Sequence, residues 1–234
     1  RRKDISMTTS DTSTPPDTAG TAPPGPRRPR LGDTGRLVDS RLSGESGLQN
    51  RYLHNEARAR GELAALRGAV TREPGEVPDT WELTRVEVSD YAGDAPTREE
   101  IAVHTAMTLY AVHQQSRTVP MFRPGVGLGR AARELVGWDE ENPSAQKRFN
   151  ALVTSTTVAE LRHHLRGFVS LLRARDIALD HAMLADSITR FQRPNGAKQV
   201  RLAWARQYYS LSPAGDADAA PRTDHNTTTP TPEN

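Results

Sequence analysis

The chain has 234 residues, a formal net charge of +2 and no cysteine, and 35% of it is hydrophobic. Its mean hydropathy of -0.68 is too low for every residue to share one packed core. Lack of cysteine excludes a disulfide framework and a thiolate metal site, and no apolar run approaches the roughly 20 residues of a spanning helix, so the cytoplasm is the expected compartment.

Residues 1–47 read as a disordered tail, rich in Pro, Thr, Ser and Gly, as in Thr14-Pro15-Pro16 and Ala22-Pro23-Pro24-Gly25-Pro26. Such a segment buries too little apolar surface to offset the entropy of ordering. Residues 211–234 have the same character and form a second expected tail. Between them, residues 48–137 are expected to form an N-terminal helical part and residues 138–210 a basic C-terminal bundle.

The first helix is predicted from Leu48 to Thr71, ended by Pro74-Gly75 and Pro78. Trp81 and Leu83 follow in a loop and are expected to dock on the core. Thr97 and Glu100 make a capping box that opens a helix reaching about Arg117. Gly125, Gly127 and Gly129 alternate ahead of a short helix ending near Val136. They suit either close helix packing or a backbone cradle for a phosphate flanked by Arg123 and Arg130. Asn142-Pro143 starts the next helix, with Phe149, Leu152 and Val153 inward and Lys147-Arg148 near its middle.

Thr157 with Glu160 forms a second capping box. The helix it opens carries Leu161, Leu165, Phe168 and Leu172 on one face and Arg162, Arg166 and Arg173 on another. Asp180 begins a helix with Leu184, Ile188 and Phe191 at helical spacing. Pro194-Asn195-Gly196 breaks the chain. A last helix, from about Ala197 to Ser210, places Val200, Trp204 and Tyr208 inward and carries Lys198, Arg201 and Arg206. No alternating run argues for a sheet. The fold expected is all-α, with about six to seven helices.

The small net charge conceals an asymmetry. Residues 101–210 hold 15 Lys and Arg against 8 acids, whereas residues 51–100 hold 7 Arg against 11 acids. A basic half suits a polyanionic partner. The motifs of catalysis are missing. No His pair has the spacing of a helical zinc protease, no nucleophile elbow occurs, and no cofactor or metal site can be assembled. The expectation is a nucleic-acid-binding module that is not an enzyme.

Several pieces occur in an order and spacing that resemble a known family. They are Gly125-Val-Gly-Leu-Gly-Arg130-Ala131, Lys147-Arg148-Phe149 with Leu152, Leu161 through Leu172, Leu179-Asp180-His181, and Val200-Arg201-Leu-Ala-Trp204-Ala-Arg206-Gln-Tyr208-Tyr209. Between about Tyr52 and Tyr209 the chain resembles the CasB small subunit of Cascade, the type I-E CRISPR surveillance complex. The resemblance implies an all-α, non-catalytic protein present as two copies. Its implied partners are other Cascade subunits, the guide crRNA, and the target and displaced DNA strands. It carries over basic positions at Arg67, Arg98, Arg130, Lys147, Arg148, Lys198 and Arg201. One departure is the stretch Thr154 to Thr157, which lacks an Arg some members have; that contact is either lost or taken over by Arg162 and Arg166. With Arg123 and Arg206 these residues make the candidate nucleic-acid track. Two rivals stand beside it: a stand-alone helix-turn-helix regulator, and a purely structural subunit whose basic faces meet acidic proteins.

Overall fold

A computed structural model describes residues 28–88, 93–137 and 142–210. Ten α-helices make up the described residues, with a 3₁₀ turn at Pro78–Thr80 and no strand. The one bridge outside helices joins Phe122 to Leu179 in parallel. The all-α expectation therefore holds.

Helix α1 (Asp33–Leu42) lies inside the stretch expected to be tail. Val38 and Leu42 are buried, and Asp186 accepts the Gly32 and Gly35 N–H groups at 2.8 and 2.7 Å. Composition pointed to disorder because the segment's own residues supply little drive to fold. The missing part is contributed by a helix some 150 residues away. Of the expected tails, residues 1–27 and 211–234 lie outside the described residues.

The single helix expected over residues 48–71 is two: α2 (Leu48–Leu53) and α3 (Ala57–Gly68). Asn55 takes a positive φ of 62° and breaks the run, a conformation that Asn tolerates better than most residues. Helix α4 (Trp81–Thr84) follows the 3₁₀ turn. Leu83 packs on the core as expected. Trp81 does not: it is 53% exposed, and its indole N–H donates to the Gly75 carbonyl at 2.9 Å.

Helix α5 (Arg98–Gln114) opens on the expected capping box and is buried on nearly every side. Its buried threonines bond within the helix, whereas His104 Nδ1 and the Tyr110 hydroxyl are buried without a partner. Thr105 and Thr108 donate to the carbonyls four residues back at 2.6 and 2.8 Å, so their burial costs little. Helices α8 (Val158–Ala174) and α9 (His181–Phe191) pack on α5, and α6 (Leu128–Val136), α7 (Pro143–Thr154) and α10 (Gly196–Tyr209) pack on these and on one another. Thr157 caps α8, but only half of the expected box forms. Glu160 accepts from the Thr156 N–H at 2.7 Å rather than from Thr157.

Two apolar clusters share α5 and α9. One gathers residues of α1, α2, α3, α5 and α9, with Phe122. The other gathers α6, α7, α8 and α10 with the opposite faces of α5 and α9. In α8 the stripe Leu161, Leu165, Phe168 and Leu172 is fully buried, each residue contributing about 1.5–3 kcal/mol.

The glycine turn shows why its residues are glycine. Gly125 takes φ +85°. A Cβ on Gly127 or Gly129 would collide with Gln207 or the Trp204 backbone of α10. The amides are occupied from within: Gly125 donates to Asp180 at 2.7 Å, Gly129 to Gln207 at 3.0 Å, and Gly127 to the Gly125 carbonyl at 3.2 Å. Close helix packing is the use observed; a phosphate cradle built from these amides is not.

Candidate nucleic-acid interface

Helices α7 and α8 form an antiparallel hairpin across a short link, which brings their outer faces side by side. Asn142 caps α7 by accepting from the Ala145 N–H at 3.0 Å, and Ala145, Phe149 and Leu152 turn inward. That leaves Lys147 and Arg148 exposed. On α8 the buried stripe leaves His163, His164, Arg166 and Gly167 towards the same furrow. Gly167 matters because a Cβ there would stand 3.3 Å from Arg148 Nη1. Its absence lets the guanidinium of α7 lie against the backbone of α8.

The result is a cleft of about 450 Å³ lined by Lys147, Arg148, Ala151, His163, His164, Arg166 and Gly167. No carboxylate lines it. Among the described residues, Lys147, Arg148 and Arg166 form no ion pair. The nearest acid in contact with the lining is Glu160, 3.8 Å from His164 Nε2. Hydrogen bonding, foremost from the Thr156 amide, holds its carboxyl below the usual range. Three cations facing a furrow without counter-charges make a site of positive potential.

The other expected track residues fall elsewhere. Arg162 is the clearest departure: Nη1 grips Glu73 at 2.9 and 3.0 Å, and Nη2 donates to the Arg72 carbonyl at 2.8 Å. It ties α8 to the chain after α3 and does not line the cleft. One helical position shifts it to that side, which spacing alone left ambiguous. Arg201 donates to the Ser155 carbonyl at the end of α7. At the other end of α10, the Tyr208 ring stacks on Phe149 at 5.2 Å and its hydroxyl donates to Gln146 at 3.3 Å. These contacts set α10 alongside α7 and antiparallel to it. Lys198 and Arg206 are exposed on α10. Arg123 is exposed in a depression it shares with Glu134 and Asp176. Arg67 lies on α3, Arg98 begins α5 and Arg130 belongs to α6. No ion pair engages any of these three among the described residues.

Comparison with known proteins bears on this arrangement. The family model for the CRISPR-associated protein Cse2 matches residues 62–209. The chain belongs to the Cse2/CasB family. Among solved structures, CasB from Thermobifida fusca is 34% identical with a TM-score of 0.64, over 76% of this chain and 99% of that one. CasB from Thermus thermophilus is 24% identical with a TM-score of 0.56, over 77% of this chain and all of that one. A chain from a structure titled a CRISPR RNA-guided surveillance complex shares the fold at 17% identity and a TM-score of 0.54, over 76% of this chain and 96% of its own. No curated protein matches. In this Cse2/CasB chain the cleft lies wholly inside the matched segment, whereas α1 and α2 precede it.

Sequence reasoning treated the histidines singly and missed a pair. His113 of α5 and His181 of α9 meet with Nδ1 and Nε2 3.4 Å apart, and His113 Nε2 donates to the Ile177 carbonyl at 3.0 Å. Tyr110 and Phe122 pack against the His181 ring. Burial lowers the His113 pKa to about 4, with the charges of Arg173 and Arg117 adding to it. Burial, then His113, lowers His181 well below its usual value. Both rings are therefore neutral and structural. Among the described residues no cluster of His, Cys, Asp or Glu is able to hold a metal. None of the described helices is long and apolar enough to cross a membrane.

Proposed function

We propose that the protein is a non-catalytic subunit of an RNA-guided CRISPR surveillance complex, in which the α7/α8 cleft holds a single strand of nucleic acid. Family membership supports the place in such a complex, together with the fold shared with a chain of one. The observation that carries the binding role is the convergence of Lys147, Arg148 and Arg166 on an acid-free furrow. Replacing a DNA duplex by an RNA–DNA duplex is nearly balanced in free energy, so a few phosphate contacts to the displaced strand decide whether the opened state persists. The remaining free cations, Arg67, Arg98, Arg123, Arg130, Lys198 and Arg206, are available as outlying phosphate contacts. The partners are then the other subunits of the complex, the guide RNA, the two DNA strands and a second copy of the chain.

The test is a complex assembled with K147E/R148E/R166E. The expected result is unchanged helicity and assembly, R-loop formation weakened at least about tenfold, and a salt slope shallower by about 2, from three contacts at about 0.7 each. Unchanged R-loop affinity would refute the cleft. Loss of assembly with single-strand affinity intact would favour the purely structural rival.

A further inference from the structure

Helix α10 has a second face that the core does not use. Val200, Trp204 and Tyr208 are buried, but Leu202 is 50% and Tyr209 78% exposed. Leu202, Arg206 and Tyr209 follow one another at spacings of four and three, so they share one side of the helix, with exposed Lys198 a turn before. No acid occurs between Gly196 and Tyr209, while Lys198, Arg201 and Arg206 do. Tyr209 has a defined mount: its ring meets Tyr208 edge-on, with centroids 5.0 Å apart at 76°. Tyr208 is in turn stacked on Phe149 of α7 at 5.2 Å and 13°. The exposed ring thus stands at the outer end of a row of aromatics rooted in the same hairpin that forms the basic cleft.

We infer that Tyr209 is a base-stacking platform for single-stranded nucleic acid, with Arg206 one turn before it and Lys198 about two turns further back holding phosphates along the same face of α10. A ring that is 78% exposed, on a helix that carries cations and no acids, matches what an unpaired base with its phosphates presents. A protein surface would also use an exposed Tyr beside cations, and the abasic strand and the assembly outcome below separate the two. The inference rests on the proposed single-strand role and extends the strand's path from the α7/α8 cleft onto α10. Tyr209 acts by positioning the strand.

The experiment measures binding of the full-length chain to an oligothymidine and to an abasic deoxyribose-phosphate strand of equal length. Tyr209→Ala is expected to weaken binding of the base-bearing strand about five- to tenfold. It should leave the salt slope and the affinity for the abasic strand unchanged. Tyr209→Trp should retain or strengthen binding, which a loss of folding would not do. Equal weakening on both strands, or none on either, overturns the platform. If Tyr209→Ala binds like the parent while K147E/R148E/R166E does not, the cleft stands and the platform falls. If neither variant alters binding, the single-strand role itself fails. Normal strand binding with loss of the Tyr209→Ala protein from its complex would assign the face to a protein neighbour and overturn the inference.

Discussion

The two apolar clusters of the molecule treat charge in opposite ways. Around the first, several arginines are spent on acids, although Arg67 and Arg98 are not among the described residues' ion pairs. Arg28 holds Asp180 and Asp39 at 2.7 and 2.8 Å, and Arg51 and Arg58 share Glu62 at 2.8 and 2.9 Å. Around the second, Lys147, Arg148, Arg166, Lys198 and Arg206 face outward without a carboxylate partner among the described residues. The first region uses its cations to hold the chain together. The second leaves its cations facing solvent. Counting charges by segment anticipated this difference, but only the structure shows that it coincides with the division of the core.

The contrast is broken most forcefully at Asp180. This fully buried carboxylate binds Arg28, accepts the Gly125 N–H at 2.7 Å and caps α9 through the Met183 N–H at 2.9 Å. Asp180→Ala is expected to destabilise the protein by about 3–5 kcal/mol, since Arg28 loses the buried one of its two partners and the Gly125 and Met183 amides lose their acceptor; urea unfolding measures it. A smaller effect follows acidification. His113 and His181 are held neutral in the fold but protonate when the chain unfolds, so the unfolded state binds more protons. Stability is therefore complete above about pH 6.5 and declines as pH falls towards 4, by about 1.4 kcal/mol per pH unit for each ring that titrates. Thermal unfolding across that range checks it, and His113→Gln should flatten the decline. The smallest effect sharpens the comparison. Arg162 belongs to the structural class despite lying on α8, and its partner Glu73 is 56% exposed. Glu73→Ala should cost no more than about 1 kcal/mol in stability and leave oligonucleotide affinity within twofold.

The sequence was most informative where local chemistry determines structure. The caps expected at Thr97 and Thr157 accept the amides three residues on, and the helix starts read at Asn142 and Asp180 prove to be side-chain caps as well. Periodicity separated the buried stripe of α8 from its cations. The family resemblance drawn from the ordered motifs agrees with the match over residues 62–209. What stayed illegible depends on contacts between distant residues. Arg162 and Arg166 sit four apart on one helix, yet a Glu 89 residues away takes the first and leaves the second. The approach of Arg148 to Gly167 is equally non-local. Trp81 failed for another reason: hydrophobicity predicts burial, but a turn that bonds its indole to Gly75 keeps the ring at the surface.

The capping of α1 by Asp186 has a consequence in time. Gly32 offers no side chain to close the helix start, and the carboxylate that does so lies 151 to 154 positions further along the chain. A ribosome making this protein releases the first helix long before its clasp. Helix α1 is thus among the last elements to settle, and nascent chains cut short before α9 will carry it without that clasp.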